Sequence, residues 1–166
     1  MKISSLTNSE IDYLESRLRV NKGMSDREYQ SLKKNHPYAV MRDDNALILS
    51  DMKHYGLHDN NLNNFILNKF GKKEYNIDFF YELIYKTGDY TNPHLDKKTS
   101  IQTTLILLNE DFKGGELVIN DKEIDFNKRG TYINFEGYKD IHSVKKVLGG
   151  ERKVLVVMFT KKLSII

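Results

Sequence analysis

The second half of the sequence is a succession of short apolar or alternating runs separated by turn-forming residues. Runs of this length with period-two alternation are typical of antiparallel strands. Asn120-Asp121 lies between two of them and predicts a two-residue hairpin loop. We predict strands over 79–85, 101–108, 116–119, 123–126, 131–135 and 154–160, with one more approaching His142. These strands follow a helical first third, which predicts an α+β chain whose sheets form a sandwich or barrel.

Helix signals dominate the first third of the sequence. Thr7 and Glu10 have the spacing of a capping box, and a regular apolar stripe follows them. Ser25 and Glu28 repeat the spacing and predict a second, shorter helix. A third apolar stripe at helical spacing ends at a glycine suited to a C-cap. The predicted elements are helices over 7–19, 25–34 and 59–70, and a short strand over 46–49.

Length and composition fit a single soluble domain over residues 1–166. The chain is 39% apolar and 30% charged with only two prolines, and it is long enough to bury one core. We expect 1–77 to be mainly helical and 78–162 to form the sheet core. The first residues lack the apolar core of a signal peptide, and no apolar stretch approaches the length of a membrane span. We therefore expect a cytoplasmic protein with no membrane partner.

Composition also excludes several kinds of site. There is no cysteine, so disulfides, thiolate metal sites and cysteine nucleophiles are ruled out. Any metal must be bound by histidine, aspartate, glutamate or carbonyl oxygen. The 26 basic and 23 acidic residues leave a net charge of only +3, and they are mixed along most of the chain. A nucleic-acid partner is not favoured, because such proteins carry a clustered basic face.

The pair His94 and Asp96 is the first candidate for chemistry. Residues i and i+2 of an extended strand project from one face, so this imidazole and this carboxylate can bind a single ion. His142, from another strand, would complete a face of three ligands and leave the other positions of the ion open. Non-haem Fe(II) oxygenases require that arrangement, because cosubstrate and O2 bind their metal directly. Taken alone, the pair is better explained as a loop histidine beside a solvated or turn-capping aspartate.

Arg152 follows His142 by ten residues and opens an apolar strand. Its planar guanidinium suits the distal carboxylate of a dicarboxylic acid. Tyr85 precedes His94 by nine residues, and a glycine turn and Pro93 lie between them. As isolated residues, His142 is equally a polar cap and Arg152 a surface residue at a strand start, so the order of the whole series carries the interpretation.

The series as a whole resembles the prolyl 4-hydroxylase-like branch of the 2-oxoglutarate, Fe(II)-dependent oxygenases. The resemblance covers about residues 79–159, roughly half of the chain. Order and spacing together are specific, although no single member is. The matching positions are Tyr85 and Gly88, then Pro93, His94 and Asp96, an apolar strand, Gly114-Gly115-Glu116, Gly130 before a strand, His142 and Arg152.

The resemblance implies a double-stranded β-helix, or jelly roll, with N-terminal helices packed on the major sheet. It implies that three residues bind Fe(II) and that Arg152 anchors the distal carboxylate of 2-oxoglutarate. Tyr85 matches a family tyrosine that lines the cosubstrate pocket. Many relatives place another tyrosine on the apolar strand to contact the cosubstrate carboxylate, and here Thr104 or Tyr132 would substitute for it. The implied iron ligands are His94, Asp96 and His142.

The implied reaction consumes O2 and 2-oxoglutarate, releases succinate and CO2, and hydroxylates an unactivated C–H bond. Ascorbate is the implied reductant, which would restore the iron after turnover that is not coupled to hydroxylation of the substrate. Peptidyl proline is the substrate suggested by the resemblance, while a free amino acid, another protein side chain or a nucleobase stays open. Two other functions fit the same residues: a jelly roll that binds a metal or ligand without turnover, and a zinc hydrolase with a bound water.

Overall fold

The computed structural model describes residues 1–25 and 48–163. Within them lie two helices, α1 (Asn8–Asn21) and α2 (Asn60–Phe70). The strands are β1 (Lys2–Ser5), β2 (Met24–Ser25), β3 (Ile48–Leu49), β4 (Asp51–Tyr55), β5 (Tyr75–Tyr85), β6 (Tyr90–His94), β7 (Gln102–Leu107), β8 (Phe112–Gly114), β9 (Leu117–Ile119), β10 (Lys122–Ile124), β11 (Thr131–Phe135), β12 (His142–Val144), β13 (Val147–Gly150) and β14 (Arg152–Lys161).

The strands form two main sheets. The seven-stranded major sheet has the order β1-β11-β7-β14-β5-β4-β2, and the five-stranded minor sheet has the order β10-β9-β12-β6-β3. A separate pair joins β8 to β13. Every paired strand is antiparallel to its neighbour. The prediction of a sheet-rich fold with antiparallel sheets is therefore confirmed.

Side chains of the major sheet enter two different buried layers. On β14, Val154 and Val156 belong to the apolar cluster between the sheets, whereas Leu155 and Val157 belong to a second cluster. The apolar residues of α1 and α2 belong to that second cluster as well. Successive residues of a strand point to opposite faces, so a strand buried on both sides becomes a continuous apolar run. The apolar run over 154–160 shows in the sequence that β14 is buried on both faces.

Capping residues set the beginnings of both helices. Thr7 and Glu10 form the predicted capping box, with the Thr7 hydroxyl 3.1 Å from the Glu10 amide and the Glu10 carboxylate 2.9 Å from the Thr7 amide. Asp59 caps α2 and also binds Arg17 of α1 at 2.6 Å. Neither described helix is long and apolar enough to cross a membrane. The helix predicted over 25–34 and the first two residues of the strand predicted over 46–49 lie outside the described residues.

The first third also contributes strands that the sequence analysis did not predict. β1 pairs with β11 at the edge of the major sheet, and β4 pairs with β5. β1 is mostly exposed, so its residues carry no alternation of apolar and polar positions that a sequence pattern would reveal. β5 begins at Tyr75, before the predicted start at 79, because its pairing with β14 extends to Lys161.

The hairpin between β9 and β10 turns at Asn120 and Asp121, whose φ angles of 49° and 66° are both left-handed. This geometry matches the predicted two-residue loop, in which positive φ is needed at both positions. The Asn120 side chain also accepts from the Ile141 amide at 3.1 Å and donates to Asp140 at 3.0 Å. Asn120 therefore also holds residues 140 and 141 in place. Among the described residues, Asp121 makes no such side-chain contact.

We predict that Asp121→Gly stabilises the protein by up to about 1 kcal/mol, because glycine adopts the left-handed conformation without steric cost. The measurement is the urea midpoint of unfolding. Asn120→Gly is the matched control in the same turn, and it should lower the midpoint because it removes both side-chain hydrogen bonds to 140–141. A fall in the midpoint for Asp121→Gly would contradict the turn assignment.

Candidate metal centre and anion pocket

Two paired strands bring the candidate metal ligands together. His94 ends β6 and His142 begins β12, and the two residues are register partners in the minor sheet. Asp96 Oδ1 lies 3.3 Å from His142 Nε2 and 3.6 Å from His94 Nε2. The three donor atoms all lie within 4.8 Å of one another, which is the one cluster of this kind in the described part of the chain. The three residues selected from their sequence spacing therefore converge.

Backbone carbonyls orient both imidazole rings. His94 Nδ1 lies 2.8 Å from the Asn92 carbonyl oxygen, and His142 Nδ1 lies 2.8 Å from the Asp140 carbonyl oxygen. Because a carbonyl oxygen can only accept, each Nδ1 carries the proton and donates it. Each Nε2 faces Asp96. It can donate to the carboxylate when the ring carries a second proton, and loss of that proton leaves its lone pair free for a metal ion. This arrangement prepares a histidine to bind a metal ion through Nε2.

Asp96 is charged despite its burial. Burial alone would raise the pKa of Asp96, but hydrogen bonds with His142, His94 and Thr103 hold that pKa well below its ordinary value. Burial alone would lower the pKa of His142, but the Asp96 carboxylate outweighs it and raises that pKa. Two imidazole nitrogens and one carboxylate oxygen form a donor set that suits Fe(II), and also zinc.

The metal cluster opens into a cavity between the two sheets. The cavity is small: about 40 Å³ of it is open to the centre of a water-sized molecule. Its wall is largely apolar, with Leu83, Leu105, Leu117 and Val156 among the lining residues. Arg152 lines the same cavity. The candidate metal ligands and a cation thus line one largely apolar cavity, as the few polar groups of small-molecule sites do.

Arg152 is completely buried and has no hydrogen-bond acceptor among the described residues. Its exposed fraction is 0%, and the Nε, Nη1 and Nη2 atoms all lack a partner. The guanidinium instead lies among aromatic rings, 5.2 Å from the centroid of Tyr85, 5.9 Å from Phe126 and 6.0 Å from Phe112. Burial lowers the pKa of Arg152. A buried charge without a counter-charge is costly, so this position can accept an anion that enters the cavity.

Tyr85 lies beside Arg152 in the same cavity. The two residues are register partners on β5 and β14, and the tyrosine is 1% exposed. The Tyr85 hydroxyl lies 2.7 Å from the Thr91 hydroxyl, which joins the major sheet to the strand that carries His94. The structure thus brings Tyr85 to the pocket wall, where its ring contacts the guanidinium and its hydroxyl is already paired.

Thr104 and Tyr132, which were expected to contact the cosubstrate, lie outside this cavity in the structure. Thr104 donates to Asn134 Oδ1 at 2.7 Å, and Tyr132 contacts the Phe70 ring with centroids 4.9 Å apart. Tyr132 belongs to the cluster that contains the helices, and neither residue lines the cavity. Adjacent strand residues point to opposite faces, so the neighbouring position Thr103 enters the cavity and Thr104 does not.

Three residues of the site were not assigned from the sequence. Thr103 donates to Asp96 Oδ2 at 2.6 Å, and Thr91 pairs with Tyr85. Gly137 accepts from the Asp96 amide at 2.8 Å through its carbonyl oxygen. A threonine in an apolar strand and a glycine in a loop are common, so no spacing rule distinguishes them. Their roles follow from contacts between distant segments.

The comparisons with known proteins concern the fold. The sequence matches no protein-family model and no curated protein. A Pseudomonas putida prolyl-4-hydroxylase structure aligns with a TM-score of 0.63 and 15% identity, over 98% of this chain and 92% of its own. A viral collagen prolyl hydroxylase from Paramecium bursaria Chlorella virus-1, in a 2OG complex, aligns with a TM-score of 0.61 and 18% identity, over 98% and 96%.

A third similar structure is a prolyl hydroxylase from Trichoplax adhaerens in complex with a peptide fragment of the hypoxia inducible factor oxygen degradation domain. It aligns with a TM-score of 0.63 and 14% identity, over 96% of this chain and 83% of its own. Similarity at this level of identity concerns the fold alone. The fold shared with these prolyl hydroxylases agrees with the resemblance that was inferred from the order of the motifs.

We predict that Arg152→Met stabilises the ligand-free protein against urea, by about 1 kcal/mol or more, because it replaces an unpaired buried charge with an apolar chain of similar length. Lys153→Met is the matched control, since it removes a positive charge from the next position on the same strand, where the side chain points to the opposite face. A lower midpoint for Arg152→Met than for Lys153→Met would show that the guanidinium is already neutralised inside the protein.

Proposed function

We propose that this chain is an Fe(II)- and 2-oxoglutarate-dependent dioxygenase that hydroxylates an unactivated C–H bond. The observation that carries the proposal is the unpaired, fully buried guanidinium of Arg152 in the same cavity as the His94, Asp96 and His142 cluster. 2-Oxoglutarate has a carboxylate at one end and a metal-chelating keto acid at the other. Its two ends match the two polar regions of an otherwise apolar cavity.

Three side chains would hold the iron, through His94 Nε2, His142 Nε2 and one oxygen of Asp96. With 2-oxoglutarate bound, Fe(II) supplies the activation of O2, the formation of succinate and CO2, and the transfer of a hydroxyl group to the substrate. The tasks of the protein are to orient the cosubstrate and to exclude water. The carbonyl oxygens of Asn92 and Asp140 support the first task by fixing the rings of the two histidines.

Arg152 would bind the distal carboxylate through two parallel N–H donors. Tyr85 supports it, because the tyrosine ring lies against the guanidinium and limits its orientations. Apolar residues of the cavity wall, among them Val154 and Leu117, would keep water out and strengthen the attraction of the cation for an anion. The same arrangement gives a reason for a cation in the interior, which a zinc hydrolase would not need.

For the primary substrate we propose a protein or peptide side chain, with peptidyl proline as the first candidate. One structurally similar enzyme is in complex with a peptide fragment, and this supports the choice by analogy of fold. Free amino acids and nucleobases belong in the same panel of tested substrates. We also propose ascorbate as the reductant. The test is to count the turnovers of the enzyme with and without ascorbate.

The test of the iron site is anaerobic titration of the metal-free protein with Fe(II) and then 2-oxoglutarate. We expect a visible charge-transfer band that requires both additions. His94→Ala and Asp96→Ala should abolish iron binding, because each removes one of only three ligands. His58→Ala is the control, since this exposed histidine lies outside the cluster. Stoichiometric iron in either ligand variant would overturn the assignment, and iron binding without the band would favour a hydrolase or a binding protein.

The test of the anion pocket is the 2-oxoglutarate concentration that gives half of the band. Arg152→Met should raise it roughly 30-fold or more, because the loss of a buried charge-assisted contact costs about 2–5 kcal/mol. Iron affinity should not change. Lys153→Met should behave as the unsubstituted protein does, and an equal rise in both variants would mean that Arg152 is not the anchor.

A further inference from the structure

The two oxygens of the Asp96 carboxylate have different surroundings. Oδ1 faces both histidines, at 3.3 Å from His142 Nε2 and 3.6 Å from His94 Nε2. Oδ2 accepts a hydrogen bond of 2.6 Å from the Thr103 hydroxyl. Thr103 is 1% exposed, so water cannot easily replace it as the donor. A short bond to a charged acceptor is among the stronger hydrogen bonds in proteins.

A close backbone approach fixes the same carboxylate from the other side. A Cβ atom built on Gly137 would lie 1.9 Å from Asp96 Oδ2, 2.8 Å from Asp96 Cγ and 2.6 Å from the Thr103 hydroxyl. The Gly137 carbonyl oxygen also accepts from the Asp96 amide at 2.8 Å. The Gly137 backbone thus packs directly against Oδ2. Only because Gly137 has no side chain is there room for the hydrogen bond between Asp96 and Thr103.

We infer that Thr103, together with Gly137, is a positioning residue that reserves Asp96 Oδ2 and leaves Oδ1 as the single carboxylate oxygen for the metal. The inference rests on the proposed function and adds to it. Its consequence is the number of open positions on the ion. An octahedral ion bound by two imidazoles and one oxygen keeps three positions free, as many as a chelating keto acid and O2 together require. A second carboxylate oxygen on the ion would take one of them.

A purely structural role for Thr103 predicts different behaviour. Its hydroxyl also lies 3.3 Å from Met158 Sδ, so loss of the hydroxyl could simply loosen the packing between β7 and β14. Such loosening would weaken all ligands of the site together. If Oδ2 is released instead, it can bind the metal as well, so metal binding stays intact or becomes tighter. Only the ligand at the third open position, where O2 or nitric oxide would bind, is then weakened. The two explanations therefore differ in the relative direction of two measured affinities.

The experiment uses Thr103→Val, which keeps the shape of the side chain and removes the hydroxyl. Fe(II) affinity is measured first, then formation of the 2-oxoglutarate charge-transfer band, and then binding of nitric oxide to that complex by electron paramagnetic resonance. We expect Fe(II) affinity to be retained and the nitric oxide affinity to fall by about tenfold or more, as the loss of a hydrogen bond to a charged group would give. Thr103→Ser should restore the nitric oxide affinity.

Thr104→Val is the matched control, because it removes an equally buried hydroxyl from the opposite face of the same strand. Its nitric oxide affinity should match that of the unsubstituted protein. Unchanged nitric oxide affinity in Thr103→Val would overturn the inference, and so would parallel losses of iron and nitric oxide binding. An unsubstituted protein that binds no iron, or gives no band, would overturn the proposed function instead, before any variant is compared.

A second pair of variants tests the role of Gly137. Gly137→Ala should lower Fe(II) affinity about tenfold or more, because the added methyl group must displace the Asp96 carboxylate. Gly149→Ala is the control, since a Cβ atom there would meet nothing closer than Lys113 Cβ at 3.9 Å. Circular dichroism checks that both variants are folded. Unchanged iron affinity in a folded Gly137→Ala protein would overturn the role of Gly137.

Discussion

The burial of β14 on both faces is the constraint on which fold and site both depend. Leu155 and Val157 belong to one buried cluster, so their neighbours Val154 and Val156 enter the other, which lies between the sheets. Arg152, Val154 and Val156 are alternate residues of β14, so the Arg152 side chain points into the interior on the same face as the two valines. The favourable burial of the rest of the strand offsets the cost of one unpaired charge. The candidate site for an anion thus results from the register of a structural strand.

The metal cluster depends on a second register, in the minor sheet. His94 and His142 face each other only because β6 and β12 pair at these two residues. A slip of one residue would turn one histidine to the outer face. The segment before His142 is held by the hairpin at Asn120, whose side chain binds the Ile141 amide and Asp140. A turn that belongs to the fold therefore also helps to position a candidate metal ligand.

The two polar ends of the cavity are joined through one hydrogen bond. Tyr85 contacts the Arg152 guanidinium with its ring and the Thr91 hydroxyl with its own hydroxyl. Thr91 belongs to β6, the strand that ends at His94. The anion pocket and the metal cluster are thereby tied to each other across the two sheets. This rigid connection suits a ligand that contacts both ends at once, as we propose for 2-oxoglutarate.

The sequence by itself determined the features that depend on local spacing: the capping box of α1, the left-handed turn at Asn120-Asp121, and the order of His94, Asp96, His142 and Arg152. Tertiary structure alone decided which neighbour of a pair faces the cavity. Thr103 contacts Asp96 while Thr104 points away, and the closeness of Gly137 to the carboxylate is visible only in three dimensions. The physical reason is that periodicity describes one segment at a time, whereas the face that a strand presents is set by its pairing with strands far away in the chain.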